Sequence, residues 1–448
     1  MLGRNKTQFA VGTIVIACLV ANGAKLRAED TVDWKRELDL LTQQNSLLQQ
    51  QVQQQQKVID VLSNRVSNVE QTTTQHSQQP TDLKIDVAET QAAPATAGSG
   101  FKWGNVNFSG EGGVGVLTSQ EDGKYPNTDF SVSEARLYAE APVWGDVYFY
   151  GEVDLATPEN NNLNVQLGEL YLDFESVSQL WGCDRMLNVR AGRMNTPFGE
   201  EYLTRNAIDN PLILNSISDL WGIDAGIELY GTLGKFCYAA AVQNGGGNVP
   251  DFDGDKAVTV RLGFDPTSWL HLSASGMRTG NLNVQGDQMS AMWFGNGVFQ
   301  SIGGTGTSLF NVNLVEGDVD FNLSRGQIRM FGGYAHYADN DPAGHNTRGI
   351  YYYGVEGVAD VTRKLYTAAR FSQVFAPNGY PIPGEGNFNS YFVNGSATGL
   401  WRLSLGVGYQ FSKQIVVKVE YAFEHGKESD GEHRNHEDFI GTEAAFKF

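Results

Sequence analysis

Three groups of side chains have residue types that could bind a metal ion or catalyse hydrolysis. His433 and His436 stand three positions apart beside carboxylates, a spacing that could hold a divalent cation. The alternating aspartates of residues 251–255 (DFDGD) begin like a calcium loop, but the rest of that ligand pattern, with its final Glu, is absent. His271 and Ser273 share a strand face at a spacing too common to indicate a hydrolase. We therefore expect no enzyme activity, no metal and no cofactor. We interpret the histidine group as solvated surface and the aspartates as a loose ionic cluster.

A more informative pattern is the alternation of charged and apolar residues between positions 101 and 448. Val315 and Val319, for example, alternate with Glu316, Asp318 and Asp320. A period of two indicates strands with one apolar and one polar face. On the polar face the period places Glu134, Arg136, Glu140, Glu152, Asp154, Glu169, Asp173, Arg190, Asp224, Glu228, Arg261, Asp318, Asp320, Glu356, Arg370, Arg402, Lys418, Glu420 and Glu443.

The connections between these strands alternate between short and long. Short connections such as 231–235 and 412–414 are followed by long ones such as 279–308 and 424–438. Short periplasmic turns and long extracellular loops are typical of transmembrane barrels. Tryptophans at both ends, including Trp144 at a short turn and Trp221 at the end of a long loop, fit two aromatic girdles. The sequence therefore predicts an all-β fold, a 16-stranded antiparallel transmembrane β-barrel over residues 101–448, rather than a soluble sandwich.

Composition and charge narrow the function. The 448 residues include 52 Gly, 18 Tyr and 24 Phe without a collagen-like period, which fits many short strands and turns. A formal net charge of −19 argues against a basic nucleic-acid footprint. Sixteen strands leave an aqueous lumen. Because acids outnumber bases on the polar face, we expect weak cation preference or little ion selectivity.

The third long connection, Thr196–Leu220, is semi-apolar, and its residues 211–214 (PLIL) would be poorly placed in open water. We expect it to fold into the lumen as a constriction, where opposed charges orient polar solutes. Alternatively, the wall arginines pair with neighbouring lumen acids and the loop stays outside. The predicted constriction places loop residues Glu200, Glu201, Arg205 and Asp209 opposite wall residues Arg136, Arg190, Arg261 and Arg370.

Three segments precede the barrel. Basic residues followed by a short apolar run predict a signal peptide over residues 1–28, and hence an exported chain. Residues 33–70 carry an apolar heptad that predicts a periplasmic coiled coil, with a single amphipathic helix as the alternative. Residues 71–100 have the composition of a flexible linker. With Cys18 in the signal peptide, Cys183 and Cys237 are left at one rim, either as a disulfide or as two free thiols.

The end of the chain and one internal motif resemble known outer-membrane proteins. The last strand alternates and closes with Phe446 and Phe448, similar to the C-terminal signal read by the barrel assembly machinery. The run 191–199 (AGRMNTPFG), a strand end before a long loop, resembles the phosphate-selective porin O and P family, as does the strand start 221–226 (WGIDAG). The resemblance implies a sixteen-stranded, usually trimeric, outer-membrane channel. The N-terminal rod resembles the coiled-coil extensions of sucrose-type and dicarboxylate porins. The acidic pore face departs from the Lys- and Arg-rich surface that gives the family its phosphate affinity.

We therefore expect an outer-membrane porin for passive diffusion of small hydrophilic solutes and ions, with its coiled coil in the periplasm. Expected partners are outer-membrane lipid, two further copies in a homotrimer, the assembly machinery and peptidoglycan through the coiled coil, but no nucleic acid. Two alternatives are a substrate-selective uptake channel for phosphate, a dicarboxylate or a sugar, and a tether between the outer membrane and the cell wall.

Overall fold

The computed structural model describes residues 101–156, 165–245, 254–283, 308–340, 347–382 and 395–448. The predicted signal peptide, coiled coil and linker lie outside these residues, as do Asp251 and Asp253, so these interpretations stay predictions. None of the helices in the described ranges is long and apolar enough to cross a membrane.

The described chain is a single closed antiparallel sheet. Each long strand pairs with the next long strand along the chain, and β19 pairs with β2, which closes the ring. Sixteen long strands form the ring, which confirms the predicted all-β barrel; β1, β11 and β18 are short additions at its ends. The strands are β1 (Phe101–Trp103), β2 (Val106–Ser119), β3 (Asp129–Trp144), β4 (Val147–Ala156), β5 (Gln166–Phe174), β6 (Asn188–Asn195), β7 (Ile223–Leu233), β8 (Phe236–Gln243), β9 (Ala257–Thr267), β10 (Leu270–Arg278), β11 (Leu282–Asn283), β12 (Leu309–Leu323), β13 (Gly326–Asp339), β14 (Arg348–Asp360), β15 (Leu365–Ile382), β16 (Gly395–Ser412), β17 (Ile415–Glu428), β18 (His433–Arg434) and β19 (Phe439–Lys447).

The two faces of the wall differ as the period of two predicts. On β17, Val419 is 46% exposed, whereas its neighbours Lys418 and Glu420 are 1% and 0% exposed. Val315 on β12 is 58% exposed and Glu316 is buried. Successive side chains of a strand point to opposite faces. The apolar residues therefore form the outer surface of the barrel and the charged residues form its inner wall.

The two ends of the barrel carry different connections. At one end most turns are two residues long, as at 145–146, 234–235 and 413–414. The exception is the connection of residues 175–187, which contains a short 3₁₀ helix (Val177–Trp181). Cys183 in this connection and Cys237 on β8 are both free thiols.

At the other end, the strands extend beyond their predicted limits. The pattern of short and long connections predicts a long loop over residues 374–399. The structure shortens it, because β15 continues to Ile382 and β16 begins at Gly395. Their pairing resumes after a register shift between Phe375 and Tyr380. Gly, Pro and Asn interrupt the alternation in this segment, so its sequence pattern is typical of a loop although its backbone still forms ladder hydrogen bonds.

Candidate pore and constriction loop

The third loop, residues 196–222 between β6 and β7, crosses the interior of the barrel. The amide of Ala207 donates to Glu134 on β3 at 2.6 Å, and the amide of Ile217 donates to Ser372 on β15 at 3.1 Å. Strand β15 lies on the far side of the sixteen-strand ring from β6 and β7. The loop therefore spans the lumen between opposite walls, as its apolar composition predicts.

Gly199 is the point at which the third loop turns into the barrel. Its φ of +65° is a left-handed conformation that favours glycine. Its amide donates to Ser275 Oγ at 3.0 Å, and its carbonyl accepts from Arg261 Nη1 at 3.0 Å. A Cβ at this position would collide with the carboxylate of Glu316. The Pro-Phe-Gly motif thus has a physical role, since glycine is favoured at this turn against the wall.

We expect Gly199→Ala to loosen the third loop. The left-handed conformation alone costs a non-glycine residue about 1–2 kcal/mol, and the collision with Glu316 adds to it. Single-channel recordings of this variant should show a larger and noisier current. Gly145→Ala is the matched control, since Gly145 also has a positive φ but lies at a two-residue turn with no atom near its added Cβ. Identical recordings from the two variants would contradict the role of Gly199 in holding the third loop.

Lys418 on β17 holds the middle of the third loop. Its Nζ atom donates to the carbonyl oxygens of Ala207 at 2.7 Å, Asn210 at 3.3 Å and Leu212 at 2.8 Å. Its Nζ also lies 2.7 Å from a carboxylate oxygen of Glu443. The third loop has one short 3₁₀ helix (Glu201–Thr204), and the carbonyls of Ala207, Asn210 and Leu212 lie outside it. Buried backbone carbonyls need donors, and the lysine supplies them.

Two arginines on neighbouring strands continue this anchorage. Arg370 Nη1 on β15 donates to the carbonyl of Leu214 at 2.6 Å, and Arg402 Nη1 on β16 donates to that of Asn215 at 2.9 Å. Glu420 accepts the amide of Leu214 at 2.8 Å. We call Arg370, Arg402 and Lys418 the cationic anchor. Their charges satisfy loop backbone, a role that the sequence pattern did not reveal.

The apolar side chains of the third loop are buried inside the barrel. Leu212 and Leu214 are each 1% exposed, and Leu214 packs with Leu117 and Phe439. Leu212 lies against Gly406, where an added Cβ would come within 2.5 Å of its side chain. The absence of a side chain at Gly406 therefore lets the loop approach the wall.

Arg136 on β3 is surrounded by three wall carboxylates. Its guanidinium nitrogens lie 3.0 Å from Glu134, 3.6 Å from Glu152 and 3.4 Å from Asp154. The contact of Arg136 with the third loop is a hydrogen bond of 2.8 Å to the Asn206 side chain. The arginine is thus shared between the wall and the loop.

The other wall arginines also pair with carboxylates of neighbouring strands. Arg190 lies 3.0 Å from Asp173 and 3.3 Å from Glu228, and Arg370 pairs with Glu356. The wall arginines therefore pair with lumen acids, as the alternative expected. The third loop, however, lies inside the barrel and not outside it, as the same alternative had it.

The charged residues of the third loop have other partners than the expected arginines. Glu200 lies 3.0 Å from His271, and Glu201 accepts from Ser216 Oγ at 2.7 Å. Asp209 lies 3.7 Å from Lys447. Burial alone would raise the pKa of Glu200, but the hydrogen bond with His271 and the charge of Arg261 lower it below its ordinary value. Of the predicted opposed charges, Glu200 interacts electrostatically with Arg261, and Glu201 interacts with Arg370.

Arg205 corrects one further expectation. Its Nε lies 2.8 Å from Asp219 within the same loop, and its guanidinium stacks 4.2 Å from the ring of Trp221. Trp221, expected in an aromatic girdle, therefore packs with the loop. Trp144 at the short-turn end is 81% exposed, as a girdle residue should be.

A row of tyrosines on the inner wall was missed by the sequence analysis, which considered charges alone. Tyr138, Tyr150 and Tyr171 stand on adjacent strands with ring centroids 6.0 and 5.0 Å apart. The guanidinium of Arg190 lies 4.3 Å from the centre of the Tyr171 ring. The period of two that located the charges could also have located these rings.

Comparisons with known proteins identify the fold. No protein-family model and no curated protein sequence matches this chain. Among solved structures, outer-membrane OmpT of Vibrio cholerae is 13% identical with a TM-score of 0.52, covering 78% of this chain and 100% of its own. The outer membrane channel DcaP of Acinetobacter baumannii is 14% identical with a TM-score of 0.50, covering 78% of this chain and 100% of its own. At such identities the likeness shows the fold alone, which is the β-barrel of these outer-membrane proteins.

Proposed function

We propose that this chain is an outer-membrane porin through which small hydrophilic solutes and ions diffuse passively. The observation that carries the proposal is the closed ring of sixteen strands with an apolar outer face and a charged inner face. A ring of this size requires lipid around it and leaves space for water within it. The likeness in fold to DcaP, an outer membrane channel, supports the same function.

In this proposal the third loop narrows the channel, and charges on the loop and wall select the solutes that pass. The constriction in this proposal consists of charged residues of the third loop and of the wall around it. Charges arranged around a narrow passage orient polar solutes and set ionic preference. We assign to it Arg136, Arg190, Arg261, Arg370, Glu200, Glu201, Arg205 and Asp209.

The finer assignments belong to the same proposal. A place among the phosphate-selective porins is supported by the Pro-Phe-Gly turn at Gly199. Phe446 and Phe448 are 37% and 50% exposed on the outer face of the closing strand, where assembly factors could read them. We also propose a homotrimer, a periplasmic coiled coil that contacts peptidoglycan, and no catalytic role.

Planar-bilayer recordings of the purified protein test the proposal. We expect stepwise conductance and, in a potassium chloride gradient, a reversal potential of the sign for weak cation preference, because carboxylates outnumber cations on the inner wall. Addition of candidate phosphates, dicarboxylates or sugars should leave the current unsaturated. A protein that inserts into the bilayer without conducting would contradict the porin function, and strong chloride or phosphate preference would contradict the charge argument.

A further inference from the structure

A groove of about 710 Å³ lies on the outer face of the barrel, across strands β12 to β19. Its floor consists of Gly357 and Ala359 on β14 and Thr367 and Ala369 on β15, all with small side chains. The volume lies within the range of about 300–1,000 Å³ that is usual for ligand sites. We call this feature the outer groove.

The sides of the outer groove are larger apolar residues. Ile328 stands on one side, and Leu405 and Val407 stand on the other, each between 38% and 45% exposed. At Gly357 an added Cβ would meet no atom within 4 Å, so the space above the floor is open rather than filled by neighbouring side chains. The groove is therefore open to the outside above its floor of small residues.

The short turns below the outer groove carry a concentration of positive charge. Arg325 lines the groove at the β12–β13 turn, and the next turns contain Arg363, Lys364 and Lys413. Neither Arg325 nor Arg363 forms an ion pair with any residue that the structure describes. The flanking Asp360 offsets only part of this charge, in a chain whose net charge is −19.

Other short turns lack such a cluster. Asp146 occupies the β3–β4 turn, and Arg185 in the 175–187 connection lies 3.8 Å from Glu175. Lys235 in the β7–β8 turn donates to a backbone carbonyl. The cations therefore gather at the end of the barrel wall that also carries the groove.

We propose that the outer groove binds an acyl chain of an anionic phospholipid whose phosphate group lies at Arg325 and Arg363. The proposal rests on the proposed position of the barrel in an outer membrane, with the short turns on the periplasmic side. The outer groove has Arg325 at its edge and Arg363 in the next short turn. Such an apolar groove beside two guanidinium groups complements a molecule with a hydrocarbon tail and an anionic head. The site would hold one lipid of the periplasmic leaflet in a fixed position.

A second copy of the chain fits the outer groove less well. Two convex barrel walls touch along their ridges, so a depression with a floor of small residues would stay empty between them. A two-fold contact between the grooves of two copies would also bring their positive turns together, which is unfavourable. A flexible acyl chain fills such a depression without either difficulty.

Native mass spectrometry of the detergent-purified full chain, titrated with phosphatidylglycerol and separately with phosphatidylcholine, tests the proposal. We expect R325Q combined with R363Q to weaken phosphatidylglycerol binding by about tenfold or more, since each surface cation contributes about 1 kcal/mol, with a smaller effect on the zwitterionic lipid. Gly357→Leu should weaken binding of both lipids by filling the groove.

Two control variants match these changes elsewhere on the barrel. Lys235→Gln removes a cation from a short turn away from the groove. Gly276→Leu adds a side chain on β10, where the only nearby atom for its Cβ among the described residues is the Leu314 carbonyl oxygen at 3.9 Å. Both controls should bind lipid as the wild type does.

Three outcomes would overturn the proposal. In the first, all variants bind lipid equally. In the second, the Lys235→Gln control loses as much phosphatidylglycerol binding as the double arginine variant. In the third, Gly357→Leu dissociates an oligomer without changing the bound lipid. The last would identify a second copy as the occupant. Conductance measured on the same samples separates the two proposals, because a conducting wild type without bound lipid contradicts only this inference, and a lipid-binding wild type without conductance contradicts only the porin function.

Discussion

Lys418→Met is expected to raise single-channel conductance severalfold by releasing the third loop from the opposite wall. The variant removes the Nζ donor to the carbonyls of Ala207, Asn210 and Leu212, and it removes the ion-pair partner of the Glu443 carboxylate. Removing one member of a buried pair costs about 3–5 kcal/mol. The thermal unfolding midpoint in detergent should therefore fall together with the change in current.

Lys447→Met is the matched control for this prediction. Lys447 also reaches the third loop, but its partner Asp209 lies 3.7 Å away, and the two side chains are 39% and 47% exposed. Exposed pairs contribute at most about 1 kcal/mol, so neither conductance nor midpoint should move much. If both lysine variants behave alike, the loop is not held by Lys418.

Arg136→Gln is expected to shift the channel towards cations more than any other single neutralisation of the wall. Glu134, Glu152 and Asp154 all lie within 3.6 Å of the Arg136 guanidinium and would lose their opposing charge together. The negative charges of these three carboxylates would then act on passing ions. Repulsion between the carboxylates would also destabilise the pair of strands β3 and β4. The reversal potential in a potassium chloride gradient and the unfolding midpoint measure the two effects.

Two further arginine variants separate charge from geometry. Arg136→Lys keeps the charge and should restore most of the wild-type reversal potential. Arg185→Gln neutralises an arginine that is 60% exposed at the short-turn end, and it should leave the reversal potential unchanged. An unaltered reversal potential in Arg136→Gln would show that these carboxylates lie away from the path of the ions.

The fold was largely predictable from the sequence because one local rule is sufficient to recognise it. A wall between lipid and water requires alternating apolar and polar side chains along every strand. The outer position of Val315 and the inner position of Glu316 can therefore be predicted without knowledge of distant neighbours. Strand ends were harder to predict, since β15 continues through a segment rich in Gly, Pro and Asn. The end of β15 is set by hydrogen bonding to the neighbouring strand and not by the composition of the segment.

The candidate constriction was predictable in position but not in detail. The apolar residues of the third loop indicated burial, and the structure buries them. Its contacts depend on residues far along the chain, since Lys418 and Ala207 are 211 positions apart. No local pattern identifies such partners. The charge alternation could place Lys418 on the inner wall, but not show that its ammonium group would bind loop carbonyls.

The distance along the chain between the third loop and its cationic anchor also sets an order of assembly. Every anchor residue belongs to a strand near the C-terminus. Lys418 lies on β17, which pairs with β19, the strand that closes the ring against β2. The contacts of the loop with the cationic anchor can therefore form only after the last quarter of the polypeptide has joined the growing sheet. Narrowing of the channel is consequently a late step of folding. A chain that stops before its final hairpin has a wide opening and no constriction.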